Sequence, residues 1–259
     1  MGIILIYTSC STRKIYTPAL FHDDISYLPK PTSGDSLNHQ TYFSGTYGGS
    51  SGFNNTNQIT FYQADASQGW IFKNFNLAYG GYAVLGNVDN SSNTIDSVKR
   101  LNPGLFDSKG FSALGARLSM NFYQRSGRTD IRVLGFEASY SHEMGDYSNF
   151  RKQVGQFPDY YTTTMNDLFT LGASTEIILE GRRHPYNKFG FRLFGGQTFG
   201  NFNFLNYTDK GFFHYGRLPI YLNYAFFLQI QKVFLVADYN SYLISGDLPS
   251  LHLRIGYHF

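Results

Sequence analysis

The chain reads as an all-β protein, a transmembrane antiparallel up-and-down barrel of about ten strands, with eight as the alternative count. Three observations carry this reading. Aromatic residues make up 18% of the 259 residues and charged residues only 15%, against about 25% charged in an ordinary soluble domain. Segments of ten or more residues alternate apolar and polar side chains, which gives a strand one greasy and one wet face. The stretches between them alternate short and long, as in a membrane barrel with tight turns on one side and loops on the other.

The strands follow in order. They are Thr41–Gly49, Ile59–Ile71, Phe75–Asn87, Phe111–Gln124, Asp130–Glu143, Leu168–Leu179, Lys188–Phe199, Leu218–Ile230, Val233–Leu243 and Ser250–Phe259. Most match the ~9–11 residues that a tilted strand needs to cross a bilayer. Short turns fall at 72–74, 125–128, 180–187 and 231–232, and longer loops at 50–58, 88–110, 144–167, 200–217 and 244–249. An even strand number puts both ends of the barrel on the short-turn side, expected to be periplasmic. No run of ~18 apolar residues exists to form a membrane helix, and the mean hydropathy of −0.27 suits strands whose alternate residues face lipid.

Alternation also assigns the faces. Leu114, Leu118 and Phe122, Phe169, Leu171, Ile177 and Leu179, and Leu222, Phe226, Leu228 and Ile230 form uncharged outward stripes. The opposite faces carry Asp65, Arg117, Glu137, Glu176, Arg192, Asp238 and Arg254. In a ten-stranded barrel the lumen is narrow, so four acids and three bases inside it are expected to pair as a structural charge network. A charge at Leu222 is expected to block insertion far more than one at Asn223, the lumen-facing neighbour.

The amino-terminal region reads differently. Ile3–Tyr7 is a short apolar run, and Thr8-Ser9 put small residues before Cys10, the only cysteine. This resembles the end of a lipoprotein signal peptide, with Cys10 as the lipidated residue. The reading divides the chain into a signal remnant at 1–10, an extended periplasmic tether at 11–38 and a barrel at 39–259. Ser11-Thr12-Arg13-Lys14 carries no acidic cluster, so the lipid is expected in the inner leaflet.

Catalytic signals are absent from the sequence. It contains no His-Glu-x-x-His, Walker loop or Gly-x-Gly-x-x-Gly. His142 near Glu143 and Asp146, and His214 near Asp209, sit by the expected outer rim, where a histidine beside a carboxylate is ordinary. His252 and His258 face the lumen beside Arg254 and suggest no metal set. The chain is therefore expected to be no enzyme, with no cofactor and no metal. A net charge of +3 without a basic run argues against nucleic acid. Aromatics at 202–207 and 211–215 suit a membrane girdle.

The last strand, Leu251-His252-Leu253-Arg254-Ile255-Gly256-Tyr257-His258-Phe259, closes on Tyr257 and Phe259 and resembles the barrel-insertion signal of bacterial outer-membrane proteins. Cys10-Ser11-Thr12-Arg13-Lys14-Ile15-Tyr16-Thr17-Pro18, followed by the strands, resembles small outer-membrane β-barrel lipoproteins of the Bacteroidota type. The resemblance implies contact with outer-membrane lipid and with the barrel insertion machinery. It also implies a role as a structural or accessory subunit beside other outer-membrane proteins, for example in barrel assembly or protein export. A small porin-like channel is the alternative, and a rim-located membrane enzyme a third.

Overall fold

The computed structural model describes residues 14–35, 37–52, 56–90, 101–158, 160–184, 186–199, 220–242 and 250–259. Ten antiparallel strands close into a barrel. They are β2 (His39–Ser51), β3 (Gln58–Ile71), β4 (Phe75–Asp89), β5 (Lys109–Ser126), β6 (Thr129–Met144), β8 (Asp167–Glu180), β9 (Lys188–Phe199), β10 (Tyr221–Ile230), β11 (Val233–Tyr242) and β12 (Ser250–His258). Each pairs with its sequence neighbour, and β12 closes the ring on β2, with Leu253 opposite Tyr47 and Tyr257 opposite Phe43. Closure leaves no unpaired sheet edge, as a wall in hydrocarbon requires.

The outer wall is apolar because alternate positions are. Leu114, Leu118 and Phe122 of β5, Phe169, Leu171, Ile177 and Leu179 of β8, and Leu251, Leu253 and Ile255 of β12 are all exposed. Rings gather at the short-turn end, where Phe259 meets Tyr257 at 4.9 Å and Phe43 at 5.9 Å, edge to face. Such rings suit the boundary between hydrocarbon and headgroups.

One strand breaks the alternation. In β6 the consecutive residues Val133 and Leu134 both point outward, at a register shift between Arg132 and Gly135 in the pairing with β8. This bulge flips the phase. Glu137 and Ser139 point inward after it, and Asp130 and Arg132 point inward before it. Strict alternation counted back from Glu137 sends Arg132 into lipid, so the sequence reading missed its place in the lumen.

Two short strands form a separate parallel pair, β1 (Lys14–Tyr16) against β7 (Tyr160–Thr162). Beside them lies one helix, α1 (Asp146–Val154). It starts at Gly145, whose φ of +110° favours glycine. Asp146 in the first turn and Arg151 and Lys152 in the last complement the helix dipole. Tyr147, Phe150 and Val154 form its buried face and pack with Tyr16, Phe106 and Tyr160. These elements cap the long-loop end of the barrel.

The segment read as a periplasmic tether lies elsewhere. Tyr16 to Thr32 are buried without a break, inside the barrel. A solvated tether would not carry Tyr16, Leu20, Phe21, Ile25, Tyr27 and Leu28 within so short a stretch. Those side chains bury apolar surface that would otherwise face water, and they fill the lumen.

Candidate functional site

The interior is organised around this plug, which crosses the barrel from end to end. At the long-loop end, β1 is held by β7, and the Thr17 carbonyl accepts the Tyr147 hydroxyl at 2.9 Å. The Ala19 amide donates to Glu143 at 2.5 Å, and Glu143 is held in turn by Arg151 at 2.5 Å. Asp23 then meets Ser250 at 2.5 Å and Asn240 at 2.8 Å, where β12 begins and β11 ends. Midway, Lys30 reaches Ser119 at 2.8 Å. Lower down, the Tyr27 hydroxyl donates to Glu176 at 2.6 Å. At the short-turn end, Thr32 donates to Glu180 at 2.8 Å, the Ser33 amide to Asp130 at 2.9 Å, and Lys188 pairs with Asp35 at 2.5 Å.

From Asp24 to Pro31 the plug adopts no helix and pairs with no strand, so its peptide groups need partners from the wall. Three arginines supply them. Arg117 Nε donates to the Asp24 carbonyl at 2.7 Å, Arg254 Nη1 to the Tyr27 carbonyl at 2.5 Å, and Arg132 Nη2 to the Pro31 carbonyl at 3.1 Å. Each also binds the wall or its acids. Arg117 pairs with Asp65 at 3.0 Å, Arg132 with Glu176 at 2.7 Å, and Arg254 lies 3.9 Å from Asp65 and donates to Thr46 at 3.0 Å. Gly69 marks how closely the plug approaches the wall, since a Cβ added there would lie 2.7 Å from the Pro31 ring and 3.1 Å from the Lys30 Cα.

All seven charged residues assigned to the inner face are buried in the lumen, but the pairing differs in part from wall-to-wall exchange. Glu137 and Arg192 form a two-point pair, with Nε to Oε1 at 2.8 Å and Nη2 on Oε2. Asp65 serves both Arg117 and Arg254. Glu176 is taken by Arg132, which the bulge turns inward. Asp238 has no arginine within ion-pair distance among the described residues and instead accepts the Tyr27 amide at 3.4 Å. The plug itself was the missing partner.

The lumen face is not a wet face. Asn223 is fully buried, accepts from Arg192 and donates to Asn240 at 2.6 Å. An arginine there would meet Arg192 in a packed interior. A charge at Asn223, expected to impair insertion far less than one at Leu222, thus carries a cost of its own. A cavity beside Phe21, His22 and Asp23 holds about 20 Å³, room for a single water.

The histidines resolve simply. His142 lies 2.8 Å from Asp167, not Glu143 or Asp146, and Tyr140 donates to the same oxygen at 2.6 Å. The three sit on the outer wall near the long-loop rim. His252 lies 3.3 Å from Asp23, and His258 is 3.0 Å from the Gln231 carbonyl. Cys10, His214 and the aromatics of 202–215 lie outside the described residues.

No protein-family model matches the chain, and no curated protein matches it. Solved outer-membrane barrels do resemble it. An outer membrane channel from Pseudomonas putida F1 aligns at a TM-score of 0.44 with 10% identity, over 90% of this chain and 100% of that one. The transport unit of the autotransporter AIDA-I from Escherichia coli aligns at 0.40 with 10% identity, over 90% and 94%. The outer membrane protein OprG from Pseudomonas aeruginosa aligns at 0.33 with 9% identity, over 85% and 95%. The closed ring of ten strands and its apolar outer wall give this chain the outer-membrane β-barrel fold on their own evidence.

Proposed function

We propose that the protein is a non-conducting outer-membrane barrel that serves as a structural or interaction subunit among other outer-membrane proteins, without catalysis of its own. The observation that carries this reading is the filled lumen. Tyr16–Thr32 occupies it, and arginines from β5, β6 and β12 hold the plug by its carbonyl groups. A selective pore needs a continuous wet path lined by groups that bind weakly enough to release an ion. Here the charged groups are engaged with one another and with the plug.

The interaction half of the reading draws on the outer wall. Gly45, Ala64 and Ala83 line a groove of about 520 Å³ flanked by Tyr47, Tyr62 and Leu85. Ala66, Gly81 and Ala116 line an adjoining groove of about 430 Å³ beside Tyr79. Small side chains there leave room for a neighbour to approach the wall closely.

Planar-bilayer recording of the purified protein tests the closed state. The expected result is no steady conductance in the wild type and channel events in an Arg117→Ala/Arg254→Ala variant, whose plug has lost two clamps. A stable open channel in the wild type would overturn the reading and favour a porin-like role. Affinity purification from native membranes with mass spectrometry tests the subunit role, which fails if the barrel is recovered alone.

A further inference from the structure

The plug has a direction, and the direction fixes which face the amino-terminal segment reaches. Lys14–Tyr16 is paired to β7 at the long-loop end, whereas Thr32, Ser33 and Asp35 are bonded to Glu180, Asp130 and Lys188 at the short-turn end. Between these points the chain descends the wall. Glu143, Ser250 and Asn240 lie near the top, Arg254 and Ser119 midway, and Arg132 with its register partner Glu176 lower down. The chain therefore passes once through the whole barrel before β2 starts the wall. His39 and Phe259 lie together at the short-turn end, where the Phe259 amide donates to the Thr41 carbonyl at 3.0 Å. Lys14 lies at the opposite end.

We infer that the barrel threads its own amino-terminal segment across the membrane and presents whatever precedes Lys14 on the long-loop face. In outer-membrane barrels long loops face the cell exterior and short turns the periplasm, so that face is the cell surface. Cys10 is four residues before Lys14, a reach of at most about 14 Å. The apolar band of such a barrel is about 25 Å tall, so a segment this short does not return from the long-loop rim to the inner leaflet. An acyl chain on Cys10 would then enter the outer leaflet, opposite to the periplasmic anchor expected from an even strand count. The even count still holds for the wall, and the plug adds one more crossing. The clamps fit this task, because a strand crossing the lumen without sheet pairing stays in place only if the wall satisfies its backbone.

This inference rests on the plug's occupancy and not on the absence of catalysis or the presence of partners. It is tested in intact cells by single cysteines and a membrane-impermeant maleimide. Arg13→Cys reports the amino-terminal segment, Gly104→Cys the long-loop face and Arg128→Cys the short-turn face, each read above the wild-type signal from Cys10. The expected result is that Arg13→Cys and Gly104→Cys label fully on intact cells, while Arg128→Cys labels only after lysis. Heat-modifiable migration confirms that each variant folds, and a closed trace in planar bilayers confirms that the plug is seated. A folded, closed Arg13→Cys variant that labels only after lysis, together with Arg128→Cys, overturns the inference. That outcome would leave the non-conducting reading intact, whereas an open wild-type channel would sink that reading without touching the labelling.

Discussion

On the outer face of β10, Phe226, Leu228 and Ile230 recur at every second residue and all are exposed. From Tyr16 to Thr32 no period recurs, yet every residue is buried. The wall faces a uniform solvent, so one rule, apolar and uncharged at alternate positions, specifies it locally. The plug faces a different neighbour at each step. Arg117 takes one carbonyl, Arg254 the next and Arg132 a third, and each contact joins residues far apart in sequence. Periodicity is thus a signature of a uniform environment, and its loss in a buried segment is a signature of specific complementarity.

If complementarity holds the plug, removing one clamp should cost more than any single change on the wall. Arg132 and Glu176 are both buried, and Arg132→Ala leaves the Glu176 carboxylate in the lumen without its ion-pair partner. The expected loss is about 3–5 kcal/mol, read as a fall in the urea midpoint of the barrel in detergent. Replacing both partners with Met should recover much of that loss, since a buried pair exchanged for apolar groups is often near neutral. A double variant as weak as Arg132→Ala would show that the Pro31 carbonyl, not the ion pair, is the important contact.

The wall should respond to charge at its middle. Phe226 lies opposite Phe191 and Ala237 in the ladder, on the outer face in the middle of β10. Phe226→Arg is expected to cost about 2–4 kcal/mol at mid-bilayer, visible as lost heat-modifiable migration, with Phe226→Leu unchanged. Equal folding of both would mean that this face does not meet hydrocarbon.

How much of this was legible follows the same division. The Lys188–Phe199 strand has the ends that alternation assigns it, and the tenth strand differs at its end by one residue. The strand expected over Leu218–Ile230 starts at Tyr221. The inward set was readable because each of its members lies in an unbroken alternating run. Arg132 was not, because Val133 and Leu134 shift the phase and no local signal announces a bulge. α1 left a usable trace in Tyr147, Phe150 and Val154, spaced for one helix face, but it sits inside a loop too long for a turn. The plug's trace was its apolar content. Its partners, from Glu143 to Glu180, are spread over the whole wall, so no reading of residues 14–35 alone could have found them.

Within the plug, single hydrogen bonds should matter less than a clamp. Tyr27 donates its hydroxyl to Glu176 at 2.6 Å, and that carboxylate also holds Arg132. Tyr27→Phe keeps the ring against Phe227, 5.3 Å between centroids, and removes only the hydroxyl. A loss of about 1.5–3 kcal/mol is expected for a bond to a charged group. Urea unfolding should place it below Arg132→Ala. A loss as large as that of the clamp variant would show that the hydroxyl positions the Arg132–Glu176 pair as well as bonding to it.

The smallest effect belongs to a charged cluster on the outer wall. Asp167 accepts from Tyr140 and lies 2.8 Å from His142 near the long-loop rim, with side-chain exposures of 54% for Asp167 and 44% for His142. At such exposure water competes for every partner, and an ion pair there contributes about 0–1 kcal/mol. Asp167→Asn keeps the shape and an acceptor for Tyr140, so its urea midpoint should lie within that range of the wild type at neutral pH. The same substitution sharpens the contrast with the lumen, because carboxylates of the same kind, Glu137 and Glu176, sit there in pairs shielded from water. Were Asp167→Asn to destabilise the barrel as much as Arg132→Ala, the rim cluster would have to be buried against a neighbour in the membrane. The comparison would then be between two interfaces instead of an interior and a surface.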